Sequence, residues 1–172
     1  MRYIAGVILK NMKKCVFSGT FDPPTKGHEK IIKTCLEIFD EVVVAVMVNP
    51  DKTPLLTENE RETLLKKLFA DEKRVKICVF YGAAVDLLER ENTNFYVRGV
   101  RDCIDFEFEN RNYYASKKLK NNLIEIYIPA EQENLHISST AVRTSVRFKK
   151  EYLQYIPASI QKDLLEMLKN KN

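Results

Sequence analysis

The stretch CVFSGTFDPPTKGH, residues 15–28, decides the fold of this chain. Its apolar start, from Cys15 to Ser18, predicts a short buried strand, and the Gly-Thr-Phe-Asp-Pro-Pro turn leads directly into a helix. The helix is predicted because apolar side chains recur with helical period, at Ile31, Ile32, Cys35, Leu36 and Phe39. Where a buried strand leads directly into a helix, binding of an anion at the start of the helix is favoured. Free backbone N–H groups and the positive end of the helix dipole face the turn there.

The rest of the chain continues this alternation of apolar strands and amphipathic helices. Further strands are predicted at Glu41–Val48, Val75–Phe80, Phe95–Val97 and Ile124–Ile128. Helices are predicted from the capping-box pair Thr57 and Glu60, over Ala83–Arg90 and Asp102–Leu119, after Ser138 or Ser139, and beyond Pro157. This order predicts an α/β fold, a single Rossmann-like doubly wound domain with a five-stranded parallel sheet and a C-terminal helix, with ligands at the carboxyl ends of the strands. We expect the domain to span residues 14–172, and residues 1–13 to be an N-terminal extension.

Length and charge exclude several classes of protein. A chain of 172 residues with 45% hydrophobic and 30% charged side chains has the composition of one globular domain, not of a disordered or disulfide-rich chain. Residues 1–14 contain four cations, Arg2, Lys10, Lys13 and Lys14, and no acid, so they account for the net charge of +4. The chain from Cys15 onward is therefore neutral. The neutral remainder does not favour nucleic-acid binding, and no apolar run reaches the roughly 18 residues of a membrane span. A signal peptide is not expected, because no small-residue cleavage site follows the first apolar residues.

The four cysteines, Cys15, Cys35, Cys78 and Cys103, are widely spaced and form no CxxC pair. Without a histidine pair nearby, this pattern favours neither a zinc site nor a redox site. We expect reduced, packed thiols in a cytoplasmic protein.

The turn after the first strand matches neither of two common phosphate-binding patterns. It contains neither the GxGxxG of dinucleotide sites nor the GxxxxGK[ST] of Walker loops. Gly19 permits close approach of the backbone to a ligand, and Thr20 and His28 can face that ligand from opposite ends of the turn. Taken alone, His28 is better interpreted as an exposed polar residue of an ordinary capped turn.

Two motifs resemble elements of the nucleotidyltransferase superfamily. TKGH, residues 25–28, preceded by GTFDP, residues 19–23, resembles its (H/T)xGH motif. ISSTAVR, residues 137–143, is similar to the ISSTxxR element with which that superfamily holds a nucleotide triphosphate. Consecutive hydroxyls at a helix N-terminus also supply donors to phosphate on physical grounds, although, taken alone, a serine-rich helix cap is the simpler interpretation.

A third run selects one family within the superfamily. RGVR, residues 98–101, followed by DFEFE, residues 105–109, resembles the RGxR and DFEYE-type run of phosphopantetheine adenylyltransferases, and the resemblance covers residues 14–168. Two arginines three residues apart can serve one polyphosphate ligand, since their planar guanidinium groups fit phosphate oxygens. The alternative is a pair of solvated arginines bonded to Asp102, Asp105 or Glu109.

This resemblance implies a reaction and a set of site residues. The reaction is transfer of the adenylyl group of ATP to 4′-phosphopantetheine, giving dephospho-coenzyme A and pyrophosphate, by in-line attack of the substrate phosphate on the ATP α-phosphorus. The resemblance implies catalytic roles for His28, Lys52 and Arg101, with His28 stabilising the transition state. Substrate contacts are implied for Thr20, Lys52, Ala84 and Arg98. ATP contacts are implied for Thr20, Phe21, His28, Gly99, Val100, Arg101, Glu109, Asn134, Leu135, His136, Ile137, Ser138, Ser139 and Thr140.

The resemblance further implies Mg²⁺, a homohexamer and a cytoplasmic location, with no nucleic-acid or membrane partner. The Mg²⁺ is expected to bridge phosphates mostly through water, so no protein ligand to it is named. The adenine contacts are the least determined, because the segment 131–136 is one residue longer than in similar chains, and His136 is better interpreted as a surface histidine.

Some positions depart from the family's pattern. Ser18 replaces a proline that is common before Gly-Thr-Phe-Asp, and Phe108 stands where tyrosine is frequent. Thr140 and Arg143 stand where serine and lysine are usual. None of these departures removes a reacting group.

Two other functions remain open. A nicotinate or nicotinamide mononucleotide adenylyltransferase shares both superfamily motifs but lacks the run from Arg98 to Glu109. A non-catalytic nucleotide-sensing module can have the same fold, but it has no need for His28, Lys52 and the two arginines together.

Overall fold

Strands and helices alternate along the chain. The computed structural model describes residues 3–4, 7–8, 12–48 and 53–171. The strands are β1 Tyr3–Ile4, β2 Val7–Ile8, β3 Lys14–Gly19, β4 Glu41–Met47, β5 Val75–Phe80, β6 Phe95–Val100 and β7 Ile124–Pro129. The helices are α1 Lys26–Ile38, α2 Glu58–Leu68, α3 Ala84–Arg90, α4 Cys103–Leu119, α5 Ser139–Arg147 and α6 Gln161–Lys169. Short 3₁₀ turns lie at Gln132–Asn134, Leu153–Tyr155 and Ala158–Ile160.

Strands β3 to β7 form one parallel sheet in the order β5-β4-β3-β6-β7. Its centre is β3, where Val16 lies between Val43 of β4 and Tyr96 of β6. The chain runs outward from β3 to β5 and then returns through α3 to β6, on the other side of β3. Ligands of such sheets bind where the connections diverge, at the carboxyl ends of the strands. The predicted doubly wound sheet of five parallel strands is confirmed.

Helices cover both faces of this sheet. Successive residues of β3 point to opposite faces, so Phe17 packs with Ile32 and Cys35 of α1, whereas Val16 packs with Leu87 and Leu88 of α3. Burial on both faces explains why the central strands are almost continuously apolar in sequence.

A third apolar cluster, formed by α2, α5, α6 and the 3₁₀ turn before α6, holds the C-terminal part of the domain. Val142 of α5 packs with Leu64 of α2, Ile160 and Leu164, and all four side chains are fully buried. The predicted C-terminal helix is therefore present, and it keeps α5 against the rest of the domain.

The predicted helix caps are present. The Glu60 N–H donates to Thr57 Oγ1 at 3.2 Å, and the Thr57 N–H donates to the Glu60 carboxylate at 2.7 Å. Of the two serines considered for α5, Ser138 is the cap, because its Oγ accepts from the Ala141 N–H at 3.0 Å.

The bounds of β3, β4 and β7 differ from the sequence prediction by one residue at one or both ends, and larger differences concern β6 and the N-terminal residues. Strand β6 continues beyond Val97 to Val100, because residues 98–100 pair with residues 127–129 of β7. Strands β1 and β2, which were not predicted, form a short antiparallel pair. None of the helices within the described ranges is long and apolar enough to cross a membrane.

Candidate active site

A cleft of about 420 Å³ opens at the carboxyl ends of β3 and β6. Its walls are the turn after β3 with the first turn of α1, the end of β6 with the start of α4, and the segment from Ala130 to Arg143. The predicted site residues that line it are Thr20, His28, Arg98, Gly99, Val100, Arg101, Glu109, Asn134, Ile137, Ser138, Ser139 and Thr140. The fold therefore brings the three motifs of the sequence to one place.

Other predicted site residues do not line this cleft. Phe21 is fully buried, and Ala84 is the first residue of α3. Leu135 and His136 are exposed, and the His136 ring lies 5.6 Å from that of Tyr155. Lys52 lies outside the described residues.

His28 is held as a neutral hydrogen-bond donor in the first turn of α1. Its Nδ1 accepts from the Thr25 N–H at 3.0 Å, so in the neutral ring the proton is on Nε2. Burial, with a smaller contribution from the Arg101 charge, lowers the pKa of His28 to about 4. The Phe21 ring packs edge-on against the imidazole at 4.9 Å. Near pH 7 the cleft therefore contains an uncharged imidazole whose Nε2–H bonds to no described residue.

The turn after β3 is fixed by a buried carboxylate. Asp22 is 4% exposed, and its two oxygens accept from the backbone N–H groups of Leu55 at 2.9 Å and Leu56 at 2.8 Å. The preceding residue, Phe21, has φ near 49°, a strained value for a bulky side chain that the surrounding contacts must maintain. Its ring lies under Gly19, where an added Cβ would come within 3.3 Å of it. The Phe21 side chain therefore packs within the turn, and its predicted contact with ATP stays a prediction.

Side chains from α2 and α5 hold the carbonyl groups of the same turn. Arg61 Nη1 donates to the Thr20 carbonyl at 2.9 Å, and Arg143 Nη1 donates to the Asp22 carbonyl at 2.8 Å. Ser139 Oγ donates to the Pro23 carbonyl at 2.8 Å. The distant ISSTAVR run is thereby bonded directly to the turn of the first motif.

Arg98 is the most constrained cation of the cleft. Its Nη2 donates to Glu109 in a short ion pair, and its Nη1 donates to the Ser18 carbonyl at 3.2 Å and to Tyr96 Oη at 3.1 Å. Arg98 lines the cleft and is paired to Glu109, one of the three acids considered from the sequence, and its predicted contact with a phosphate stays a prediction.

Arg101 makes a two-point contact with Asp105. Its Nε and Nη2 donate to the two carboxylate oxygens at 2.7 Å and 3.0 Å, and this partner holds the pKa of Asp105 below its usual value. Because the Arg101 side chain remains 40% exposed, a polyanion can reach it.

The cleft also contains residues that were not assigned as ligands from the sequence: Thr25, Asp105, Phe108 and Arg143. Arg143 ends the ISSTAVR run, and its Nη2 donates to Thr140 Oγ1 at 3.0 Å. Arg101 precedes Asp102, the N-cap of α4, and Asp105 is one of the three acids considered from the sequence as partners of the two arginines.

Glu125 lies near the cleft without a signal in the sequence. Burial, opposed by the Arg98 charge and assisted by Glu109, raises the pKa of this β7 carboxyl to about 7. Two residues further along β7, the buried Tyr127 hydroxyl has no hydrogen-bond partner among the described residues, and burial raises the pKa of that phenol to about 12.

Acids of the cleft do not form a metal site. Asp105 and Glu109 are each engaged by an arginine, and no cluster of three or more histidine, cysteine or acidic residues in the described part of the chain could hold a metal ion.

Comparisons with known proteins give matches over most of this chain. Residues 16–145 match the family model described as cytidylyltransferase-like. The phosphopantetheine adenylyltransferase of Flavobacterium johnsoniae is 34% identical over 150 residues, which is 87% of this chain and 98% of that protein. That of Clostridium beijerinckii is 35% identical over 157 residues, or 91% and 99% of the two chains.

A solved structure has the same fold. It is that of "a Putative Nicotinate-nucleotide Adenylyltransferase from Vibrio parahaemolyticus", with a TM-score of 0.69 over 94% of this chain and 98% of that one. At 22% sequence identity, this likeness bears on the fold alone.

Replacing Asp22 with Ala should lower the free energy of unfolding by about 2 to 4 kcal/mol, because two backbone N–H groups would lose their acceptor in a largely buried place. Urea denaturation followed by circular dichroism measures this change. The control is Asp71→Ala at an exposed acid, for which we expect a change within about 0.5 kcal/mol. Equal stabilities of the two variants would contradict the structural role of Asp22.

Proposed function

Since the chain belongs to the phosphopantetheine adenylyltransferase family, within the cytidylyltransferase-like proteins, we propose that it transfers the adenylyl group of ATP to 4′-phosphopantetheine. The products are dephospho-coenzyme A and pyrophosphate. The observation that carries this proposal is the cleft in which the neutral His28 imidazole lies with Arg98, Arg101 and the N-terminus of α5. Such a cleft suits two phosphate-bearing substrates, because it supplies donors from several directions.

The proposed mechanism is direct in-line transfer. A phosphate oxygen of phosphopantetheine attacks the α-phosphorus of ATP, the bond from that phosphorus to the bridging oxygen breaks, and pyrophosphate leaves with the electron pair. No covalent enzyme intermediate is needed, because the substrate supplies the nucleophile. Catalysis then depends on holding two polyanions in line and on stabilising the charge that develops at the α-phosphate.

His28 is proposed to stabilise that charge as a donor, not as a base. Its Nδ1 is occupied by the Thr25 N–H, so Nε2–H is the group available to an α-phosphate oxygen. Because its pKa is about 4, the imidazole stays neutral throughout the range from pH 6 to 8. We therefore expect no titration of His28 in the pH profile of kcat/KM over that range.

The two substrates are proposed to bind on different walls of the cleft. Thr20, Arg98 and Lys52 would hold the phosphopantetheine phosphate, with the backbone at Ala84 contacting the pantetheine arm. The ATP phosphates would contact Arg101 and the start of α5. The remaining ATP contacts are proposed for Gly99, Val100, Glu109, Asn134 and residues 137–140, which line the cleft. Phe21 is proposed to act by supporting the turn, and no side-chain role is proposed for Leu135 or His136.

Mg²⁺ is proposed to enter the cleft as part of the MgATP substrate. This fits the acids of the cleft, Asp105 and Glu109, which are bonded to arginines and so are not free to form a metal cage. Bound to the phosphates and to water, the ion would neutralise part of their charge. We also propose a cytoplasmic location, which suits an ATP-dependent enzyme whose four cysteines are free thiols.

The direct test is pyrophosphate release from MgATP by the purified full chain, with 4′-phosphopantetheine and nicotinamide mononucleotide supplied in separate reactions. We expect release with phosphopantetheine alone. Release with the mononucleotide alone would keep adenylyl transfer but overturn the acceptor. ATP binding without release in either reaction would favour the nucleotide-sensing alternative.

Replacing His28 with Ala should lower kcat by about 10²- to 10³-fold, roughly 3 to 4 kcal/mol of transition-state stabilisation, with little change in the KM for ATP. Steady-state kinetics with both substrates measures this change. Lys33→Ala, at an exposed position of the same helix, is the control and should keep the wild-type kcat. Near-normal turnover of the His28 variant would overturn its proposed role.

A homohexamer is proposed for the assembled enzyme, with α4 at a subunit contact. None of the 17 residues of α4 is buried in the single chain, and the exposed fractions of Ile104, Tyr114 and Leu119 are 79%, 62% and 73%. An apolar helix face of this kind is typical of a surface covered by another copy. Sedimentation equilibrium should give a mass of about 120 kDa, six copies of the 20.1 kDa chain, and Ile104→Glu should lower that mass. A wild-type mass of one chain would overturn this proposal.

A further inference from the structure

A buried hydrogen-bond network, which the proposed mechanism does not use, holds the Arg98 guanidinium. Its Nη1 donates to Tyr96 Oη at 3.1 Å, and the guanidinium carbon lies 5.4 Å from the centre of the Tyr96 ring. Tyr96 Oη in turn lies 2.6 Å from Ser18 Oγ. Ser18 is 4% exposed and Tyr96 is 8% exposed, so solvent has little access to either group.

Tyr96 Oη links the two ends of this network. A guanidinium has donors only, so Tyr96 Oη must accept from Arg98. Tyr96 Oη also shares a hydrogen bond with Ser18 Oγ, in which either hydroxyl can be the donor. Hydrogen bonds linked in a buried place strengthen one another, and therefore the three side chains act as one unit.

The strand register brings these side chains together. Val16 of β3 pairs with Tyr96 of β6, and the following pair is Phe17 with Val97. Ser18 and Arg98 are the next residues along the two strands. Side chains two residues apart on a strand share a face, which places Tyr96 beside Arg98. Ser18 is also one of the departures noted in the sequence, where a proline could not form this hydrogen bond.

The same contacts decide which donors of Arg98 remain for a ligand. A guanidinium group has five N–H donors, and contacts to Ser18, Tyr96 and Glu109 use three of them. Two acids, Glu109 and Glu125, attract the group electrostatically. The bonds from Nη1 to the Ser18 carbonyl and to Tyr96, together with the ion pair to Glu109, restrict the orientation of the guanidinium at the cleft.

We propose that Tyr96 and Ser18 are positioning residues that orient Arg98 for the phosphate of the phosphopantetheine substrate, an inference that rests on the proposed role of Arg98. A long side chain that is ordered before binding loses less conformational entropy when it meets the phosphate. The benefit applies to the substrate that Arg98 binds and not to ATP.

Binding of 4′-phosphopantetheine and of ATP to the full chain, each measured by isothermal titration calorimetry, tests this inference. Tyr96→Phe keeps the ring and removes the hydroxyl, so the Kd for phosphopantetheine should rise about fivefold, the effect of one hydrogen bond, while the Kd for ATP stays within about twofold. Ser18→Ala should have a smaller effect in the same direction. Tyr152→Phe, which removes a hydroxyl from a partly buried tyrosine of the third apolar cluster, should change neither constant.

Repeating these substitutions in an Arg98→Ala background shows whether a negative result contradicts the positioning role or the proposed role of Arg98 itself. Tyr96→Phe should have no further effect there, because it acts through Arg98. If Arg98→Ala weakens phosphopantetheine binding but Tyr96→Phe does not, or if Tyr96→Phe keeps its full effect in that background, the positioning role is overturned and the proposed function stands. If Arg98→Ala leaves phosphopantetheine binding unchanged, both the role of Arg98 and this inference are overturned.

Discussion

The bond between one buried carboxylate and two backbone N–H groups determines the geometry of this site. Asp22 lies in the turn after the central strand, and its acceptors hold the segment at Leu55 and Leu56 before α2. A carboxylate that is 4% exposed requires such partners, since an unpaired buried charge is costly. With Arg61 and Arg143 bonded to carbonyls of the same turn, the backbone that carries Thr20 and leads to His28 is fixed before any ligand binds. Fixed donors are the basis of electrostatic catalysis, because they need no reorganisation during the reaction.

The charges of the cleft are balanced in pairs. Arg98 with Glu109 and Arg101 with Asp105 keep two cations near the site at which a polyanion is proposed to bind. His28 completes the arrangement without adding a charge, since burial keeps its pKa near 4. An incoming phosphate therefore meets positive groups that already have partners, and part of its binding energy must come from donors that those partners leave free.

Much of the fold could be predicted from local pattern, whereas contacts between distant segments could not. Strand β5 follows from its own apolar run, and the cap of α2 follows from Thr57 and Glu60, because these depend on neighbours in sequence. The end of β6 was predicted too early, since the pairing that extends it to Val100 belongs to β7. In the sequence, Asp102, Asp105 and Glu109 were equally suitable partners for the two arginines. The hydrogen bond between Tyr96 and Ser18 joins residues 78 positions apart. Choices of this kind depend on strand register and packing, which a single sequence does not contain.

The attachment of α5 to the third apolar cluster has a consequence for how the protein is made. Val142 is buried against Leu64 of α2 and also against Ile160 and Leu164, so part of the packing of α5 is completed only after the residues of α6 have left the ribosome. The strands of the parallel sheet need no residue beyond Pro129, where β7 ends. During synthesis the sheet can therefore form before α6 emerges, and the wall of the cleft that α5 provides gains its packing against α6 only afterwards.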